Sequence, residues 1–136
     1  MSHFRFAAFI AVQLPFAVAA QQAYPTEDLL STSTTVMGEP IRYPSGPAKV
    51  TVSIVTVAPG AETAWHHHPV PLVAYVLEGD LTVDYRDRGR RVYRKGEALV
   101  EAMDVTHRGI NLGGAPVRLL AVYVGASGTQ DTEVDK

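Results

Sequence analysis

The stretch of sequence that decides the fold is residues 60–79, which read GAETAWHHHPVPLVAYVLEG. Side chains alternate along an extended strand, so His66 and His68 project to one face while His67 projects to the other. A further histidine, His107, follows later in the chain. Imidazole is the commonest metal ligand in proteins. Two imidazoles on one face and a third from another strand predict a three-nitrogen metal site with open coordination positions, which metal chemistry requires.

A second stretch, residues 96–111, reads GEALVEAMDVTHRGIN. The two stretches together resemble the two motifs of the cupin family. The first motif runs glycine, five residues, His-x-His, three or four residues, glutamate, six residues, glycine. The second runs glycine, five residues, Pro-x-Gly, two residues, histidine, three residues, asparagine. The matching positions are Gly60, His66, His68, Gly79, Gly96, His107 and Asn111, while Ala102 and Asp104 replace the proline and glycine of the second motif.

The resemblance implies an all-β protein: an antiparallel double-sheet jelly-roll barrel over residues 47–124 that forms a homodimer. The residues agree, because short stretches rich in Val, Thr, Ile and Tyr alternate with Gly, Pro and Asp turns, and no segment has a capped helical period. Strands are predicted near residues 34–37, 50–57, 63–68, 73–77, 81–85, 91–94, 98–100, 107–111 and 117–124.

One position departs from the family's metal site. The resemblance implies metal ligands at His66, His68 and His107, but the motif's glutamate falls on Leu72, which cannot coordinate an ion. Three neutral imidazoles leave a divalent ion its full charge, so the site should favour anionic or chelating ligands. Glu62 has the strand parity of His66, but four extended residues span roughly 13 Å, too far for it to replace the lost carboxylate. Glu101 is a second possible replacement whose orientation the sequence leaves open.

The N-terminal residues are predicted to be a cleaved signal peptide, residues 1–20. A short basic start precedes an apolar run and a small-residue cleavage region, and the run is too short to span a bilayer. This predicts a periplasmic or secreted protein. Residues 21–46 are predicted to be an N-terminal arm, and residues 125–136 a polar, frayed C-terminal tail.

Composition excludes several classes of function. The chain has no cysteine, which excludes disulfides, thiolate ligands and a lipid-anchored N-terminus. A net charge of −2 gives no reason to expect a polyanion partner, so no nucleic-acid partner is predicted. No membrane anchor is predicted either, because the chain has no cysteine for a lipid. Six of the twelve basic residues fall within residues 86–95. They predict either a patch for anionic ligands or, as the favoured interpretation, a charged hairpin that protects an edge strand.

Two functional hypotheses follow. In the first, the protein is an exported metalloenzyme: a divalent transition metal (Fe, Mn, Ni, Zn or Cu) on the three histidines acts on a small chelating or anionic substrate, by dioxygenase, isomerase or lyase chemistry. In the second, it is a non-catalytic periplasmic cupin that binds a metal or small ligand. No catalytic residue is assigned. Two simpler interpretations also stay open, that the histidine triplet is a surface accident and that the barrel keeps a degenerate site. Trp65 and Tyr75 are predicted to be packing residues.

Overall fold

The computed structural model describes residues 24–136, so the predicted signal peptide and the first residues of the predicted arm lie outside the described part. The described chain is almost entirely β-structure, with one short 3-10 turn at Arg86–Arg88. Its nine strands are β1 (Ala48–Val57), β2 (His66–His67), β3 (Leu72–Glu78), β4 (Asp80–Asp84), β5 (Arg90–Arg94), β6 (Ala98–Val100), β7 (Arg108–Ile110), β8 (Val117–Ala126) and β9 (Glu133–Val134).

The strands form two main sheets, one of four strands in the order β1-β8-β3-β6 and one of three in the order β5-β4-β7. A small third sheet pairs β2 with β9. Every pairing is antiparallel, which confirms the predicted antiparallel double-sheet architecture. The prediction of a strand near residues 34–37 is wrong. An isolated bridge joins Thr34 to Pro40, and Gly38 at φ 82° reverses the chain between them.

The core lies between the inner faces of the two main sheets. In β3 the alternate residues Leu72, Ala74 and Val76 are buried, and from the other sheet Val83 packs into the same core. Burying an aliphatic side chain of this size contributes about 1.5–3 kcal/mol. The tight turn after β3 needs Gly79, because its φ is 75° and a Cβ there would lie 2.9 Å from a methyl carbon of Val117. The glycine that ends the first motif is therefore required by backbone conformation and close packing.

The N-terminal arm secures the loop that precedes His107. The carboxylate of Glu39 accepts backbone hydrogen bonds from Met103 at 2.9 Å, Asp104 at 2.8 Å and Val105 at 3.1 Å. This loop holds the positions at which the second motif has proline and glycine. A carboxylate that accepts three N–H groups fixes the loop by charge-assisted hydrogen bonds. Glu39 thus holds in place a loop that lacks the motif's two turn-forming residues.

The C-terminal residues do not fray, contrary to the sequence-based expectation for residues 125–136. Strand β8 continues to Ala126, and β9 then pairs with β2. Asp135 accepts a hydrogen bond from Thr106 at 2.6 Å and lies 2.9 Å from Nδ1 of His67. The tail is ordered because its polar groups find partners on β2 and on the loop before β7, which its polar composition could not reveal.

The basic hairpin lies at the edge of the three-stranded sheet, where β5 is the outer strand. Two of its arginines contact neighbouring acceptors: Arg90 pairs with Asp84 at 2.9 Å, and Arg91 donates to the backbone oxygen of Val36. This placement agrees with the favoured interpretation of a charged edge strand. Within residues 24–136, no helix has the length and hydropathy that crossing a bilayer requires.

Candidate metal centre

The three predicted ligands come together beside the space between the two main sheets. His66 and His107 form an antiparallel bridge in which each backbone N–H donates to the other's oxygen at 2.9 Å. His68 is held by a backbone hydrogen bond to Met103 at 3.1 Å. One ring nitrogen from each histidine lies within 4.8 Å of the others. Three nitrogens that cap one ion at about 2.1 Å lie about 3.0–3.4 Å apart, so the rings would have to move closer together to share an ion.

Hydrogen bonds fix which nitrogen each ring presents. Nδ1 of His66 donates to the carbonyl oxygen of Ala64 at 2.8 Å, and Nδ1 of His107 donates to that of Val105 at 2.8 Å. Nδ1 of His68 donates to the carbonyl oxygen of Asp131 at 3.0 Å. A carbonyl can only accept, so each Nδ1 carries the proton and each Nε2 keeps a free lone pair. Carbonyl partners of this kind orient histidine ligands at metal sites.

Burial keeps the rings neutral. Loss of solvation lowers the pKa of His66 and of His107, and it lowers the pKa of His68 to about 3. The side chain of His107 is fully buried, and its Nε2 has no hydrogen-bond partner among the described residues. An unsatisfied buried nitrogen is costly. Neutral imidazoles with free lone pairs are the form that binds metal, so this donor set fits a divalent transition ion.

The three histidines open onto a cavity of about 300 Å³ between the two main sheets. That volume is at the lower end of the range for small-molecule sites. Leu72 lines it, so the residue at the family's glutamate position faces the same space as the histidines. The C-terminal residues Thr132 and Val134 line it as well. The remaining wall is mostly aliphatic and includes Val55, Ala74, Leu81, Val83, Leu99, Leu119 and Ala121.

Glu101 also lines this cavity, which resolves the orientation that the sequence left open. Its side chain is only 5% exposed. Burial raises the pKa of Glu101, although hydrogen bonds from the Tyr85 hydroxyl at 2.7 Å and the Ala102 N–H at 2.8 Å oppose that rise. Tyr85 in turn lies 3.0 Å from the hydroxyl of Tyr93. One sequence signal could have placed Glu101 on the inner face: it lies two residues after Leu99 of β6, which also lines the cavity. Because Ala102 and Asp104 depart from the motif directly afterwards, the sequence does not show that the strand alternation continues to residue 101.

The other polar residues considered from the sequence lie away from the cluster. His67 faces outward, between Glu133 and Asp135. Glu62 pairs with Arg108 at 2.7 Å, and Asp104 pairs with Arg42 at 2.5 Å. Trp65 does more than pack, because two guanidinium groups lie over its ring. Those groups belong to Arg86 at 4.3 Å and Arg108 at 4.5 Å from its ring centroid. Tyr75 is half-buried on β3, paired with Leu120 of β8.

The model of the cupin domain matches residues 53–123 of this chain, so the protein belongs to the cupin family. The matched range contains both motifs and all three clustered histidines. No curated protein has a sequence significantly similar to this chain.

Solved structures share the fold. The polyketide cyclase RemF from Streptomyces resistomycificus is similar at 23% identity and a TM-score of 0.55, over 64% of this chain and 61% of that one. The DMSP lyase DddQ from Ruegeria pomeroyi is similar at 16% identity and a TM-score of 0.54, over 62% and 42%. Oxalate decarboxylase from Lactobacillus farciminis is similar at 20% identity and a TM-score of 0.53, over 62% and 26%. The chain spans less than two thirds of each of these neighbours, and at such identities the likeness shows the fold alone.

Proposed function

We propose that this cupin holds one divalent transition metal ion on His66, His68 and His107 and acts as an enzyme on a small anionic or chelating organic substrate. The observation that carries the proposal is the hydrogen bonding of the three rings. Each Nδ1 proton is committed to a carbonyl oxygen, so all three Nε2 lone pairs are left for one ion. A bound ion would act as a Lewis acid or, if it is iron, supply dioxygen chemistry.

The residues around the cluster support this kind of substrate. The three imidazoles are neutral, so a divalent ion keeps a net positive charge even beside Glu101, which favours a carboxylate, an enolate or another anionic chelating group. The aliphatic walls exclude water and suit a compact apolar body attached to that group. The neighbouring structures named above include a cyclase, a lyase and a decarboxylase, so the fold leaves the reaction open.

Elemental analysis and metal titration test this proposal. Protein purified from its native compartment should contain close to one transition ion per chain. Metal-stripped protein should bind one equivalent of Zn²⁺ or Co²⁺ in calorimetry, and His107→Ala should lose that binding. Asn111→Ser is a matched control, because Asn111 belongs to the same motif but bonds to the backbone of Val57 and Ala115. A wild-type protein that neither carries nor binds an ion would overturn the proposal.

A non-catalytic binding protein is the second candidate, and Leu72 is the observation that favours it. Because that position lacks the family's glutamate, a mechanism that uses this carboxylate as a base is not available here. The two candidates differ in whether the protein converts a bound substrate to product. Metal-loaded protein incubated with small carboxylates, β-diketones and catechols should convert one of them if it is an enzyme, whereas a binding protein should change the spectrum of its Co²⁺ form without consuming any.

We also propose that the protein is exported. The support is the predicted signal peptide, residues 1–20, with its basic start, apolar run and small-residue cleavage region. Mass spectrometry of protein from fractionated cells should find a mature N-terminus at residue 20 or 21 in the periplasm or medium. Full-length protein that stays in the cytoplasm would contradict this.

A homodimer completes the proposal. The outer face of the four-stranded sheet is apolar, although a sheet face in contact with water normally carries polar residues. Val50, Val52 and Ile54 of β1 are 61%, 62% and 50% exposed, and they pair with Val124, Val122 and Leu120 of β8. A flat apolar sheet packs well against an identical one about 10 Å away, so a second copy of this chain is the proposed occupant. Val52→Lys should convert a dimer to a monomer in sedimentation velocity, and a wild-type monomer at micromolar concentration would refute the dimer.

A further inference from the structure

Positions 72 and 101 are neighbours across two adjacent strands. The backbone N–H of Glu101 donates to the carbonyl oxygen of Leu72 at 2.9 Å, one residue beyond the β3–β6 pair of Val73 and Val100. Residues paired directly in an antiparallel ladder project to the same face, with Cβ atoms about 5 Å apart. The first motif lacks a carboxylate at Leu72, but Glu101, directly after the neighbouring strand β6, places one beside it.

The two carboxylate oxygens of Glu101 have different surroundings: among the described residues, Oε1 is hydrogen-bonded and Oε2 is not. Oε1 accepts hydrogen bonds from both the Tyr85 hydroxyl, at 2.7 Å, and the Ala102 N–H, at 2.8 Å. Oε2 has no hydrogen-bond partner within residues 24–136, and the side chain lines the cavity beside the histidines. Tyr85 is itself fully buried, so it holds Glu101 in one position. Oε2 is therefore available to a ligand in the cavity.

We propose that Glu101 is the anionic group of this metal centre and takes over, from β6, the charge-compensating role that Leu72 cannot fill. This inference rests on the proposed metal site. The cluster of potential ligand atoms contains the three histidines and does not include Glu101. Glu101 therefore stands outside the metal's direct ligands, where it offsets the ion's charge and accepts a hydrogen bond from a group bound in the cavity.

A buried carboxylate needs such a role, because burying an unbalanced charge is costly. The hydrogen bonds from Tyr85 and Ala102 are both from neutral donors. A divalent ion on the histidines would supply the compensating positive charge. The competing explanation is that Glu101 serves only to fix Tyr85 in the core, and the two explanations predict different behaviour when the carboxylate is moved.

The first arm of the test is the metal affinity of Glu101→Gln, measured with Zn²⁺ and Co²⁺ alone by competition against a chelator. Glutamine keeps the volume and an oxygen that can accept from Tyr85 and Ala102, while its NH2 group replaces Oε2, so the charge and the free acceptor are removed together. We expect affinity to fall at least about tenfold. Glu62→Gln is the matched control, since Glu62 is an exposed carboxylate paired with Arg108, and its affinity should stay within twofold of wild type.

The second arm transfers the carboxylate. Glu101→Leu should lose metal affinity, and the double variant Leu72→Glu/Glu101→Leu should recover most of it, because the charge returns to the same cavity from the neighbouring strand. Thermal unfolding of the metal-free proteins checks that each variant folds. The inference requires Leu72→Glu to raise affinity by a larger factor in the Glu101→Leu background than in wild type, where the charge is already present. If Glu101 only supports Tyr85, the two factors will be equal and the inference is wrong.

The outcomes separate this inference from the metal site itself. If wild-type protein binds one ion and Glu101→Gln binds it equally tightly, the three-histidine site stands and the role of Glu101 is refuted. If wild-type protein binds no ion, the proposed function is refuted and the inference falls with it.

Discussion

The histidine triplet, which comprises β2 and His68 directly after it, places the same residue type on two faces in different environments. On the inner face, His66 and His68 bond through Nδ1 to neutral carbonyl oxygens. On the outer face, His67 lies between carboxylates, 2.9 Å from Asp135 and 3.5 Å from Glu133. The difference teaches that the partner, rather than the residue type, sets the role. Carbonyl partners and burial leave a neutral ring with a free lone pair, whereas the contacts of His67 with Asp135 and Glu133 at the surface join β2 to the C-terminal tail.

The largest expected effect separates the two faces by metal binding. His68→Ala, like His66→Ala, should abolish stoichiometric binding and lower affinity by at least about a hundredfold, because a two-nitrogen remnant holds a divalent ion poorly. His67→Ala should leave the stoichiometry unchanged. Isothermal titration with Zn²⁺ measures both. Equal losses at all three positions would mean that the triplet is a flexible surface chelator and that the two faces do not differ.

Acidification should destabilise the metal-free protein through the inner face. Burial lowers the pKa of His68 from 6.5 to about 3. Between those values the unfolded chain binds more protons than the folded one, so the free energy of unfolding falls as pH falls. From about pH 7.5 to about pH 5, His68 alone should contribute a loss of about 2 kcal/mol.

His66 and His107 act in the same direction, because burial lowers the pKa of each. Urea unfolding at the two pH values measures the effect, and His68→Asn should reduce it while His67→Asn preserves most of it. A stability that stays constant on acidification would show that the inner rings are not held neutral.

Leu72→Glu should add one negative charge to the inner face, beside the histidines. The side chain lines the cavity, so a glutamate there should raise metal affinity about tenfold and lower affinity for anionic chelating ligands, since it occupies a coordination position and reduces the positive charge. Calorimetry with Co²⁺, followed by titration with a carboxylate, measures both. Leu72→Gln controls for size and polarity. An unchanged metal affinity in the glutamate variant would place position 72 outside the ligand set.

The smallest expected effect is on the outer face. Asp135→Ala removes the contacts with His67 and Thr106 and should lower the free energy of unfolding slightly. Its clearer signature is faster hydrogen exchange at the β9 amides, because the tail is released. Release should also weaken metal binding a few fold, since the tail's Asp131 carbonyl orients His68. Asp87→Ala, a change of an exposed acid on the hairpin, serves as the control.

The sequence was sufficient for the features that repeat locally. Strand alternation and turn residues predict the antiparallel double sheet, and the resemblance of two motifs to those of the cupin family predicts that His66, His68 and His107 meet. Gly79 belongs to the same class, since its φ of 75° and its contact with Val117 leave room only for glycine. Short turns and a period of two residues encode these features within a few neighbouring positions.

Only the tertiary structure decided the features that depend on distant partners. Glu101 is recognisable as the carboxylate beside Leu72 only once β6 lies against β3, and Glu39 reaches the loop before His107 across 64 to 66 residues of sequence. The tail has polar composition, yet Asp131 and Asp135 are ordered because their partners lie on β2 and on that loop. A hydrogen bond or an ion pair between segments far apart in the chain leaves no period in either segment, so the sequence predicts each residue's chemistry but not the partner that determines its role.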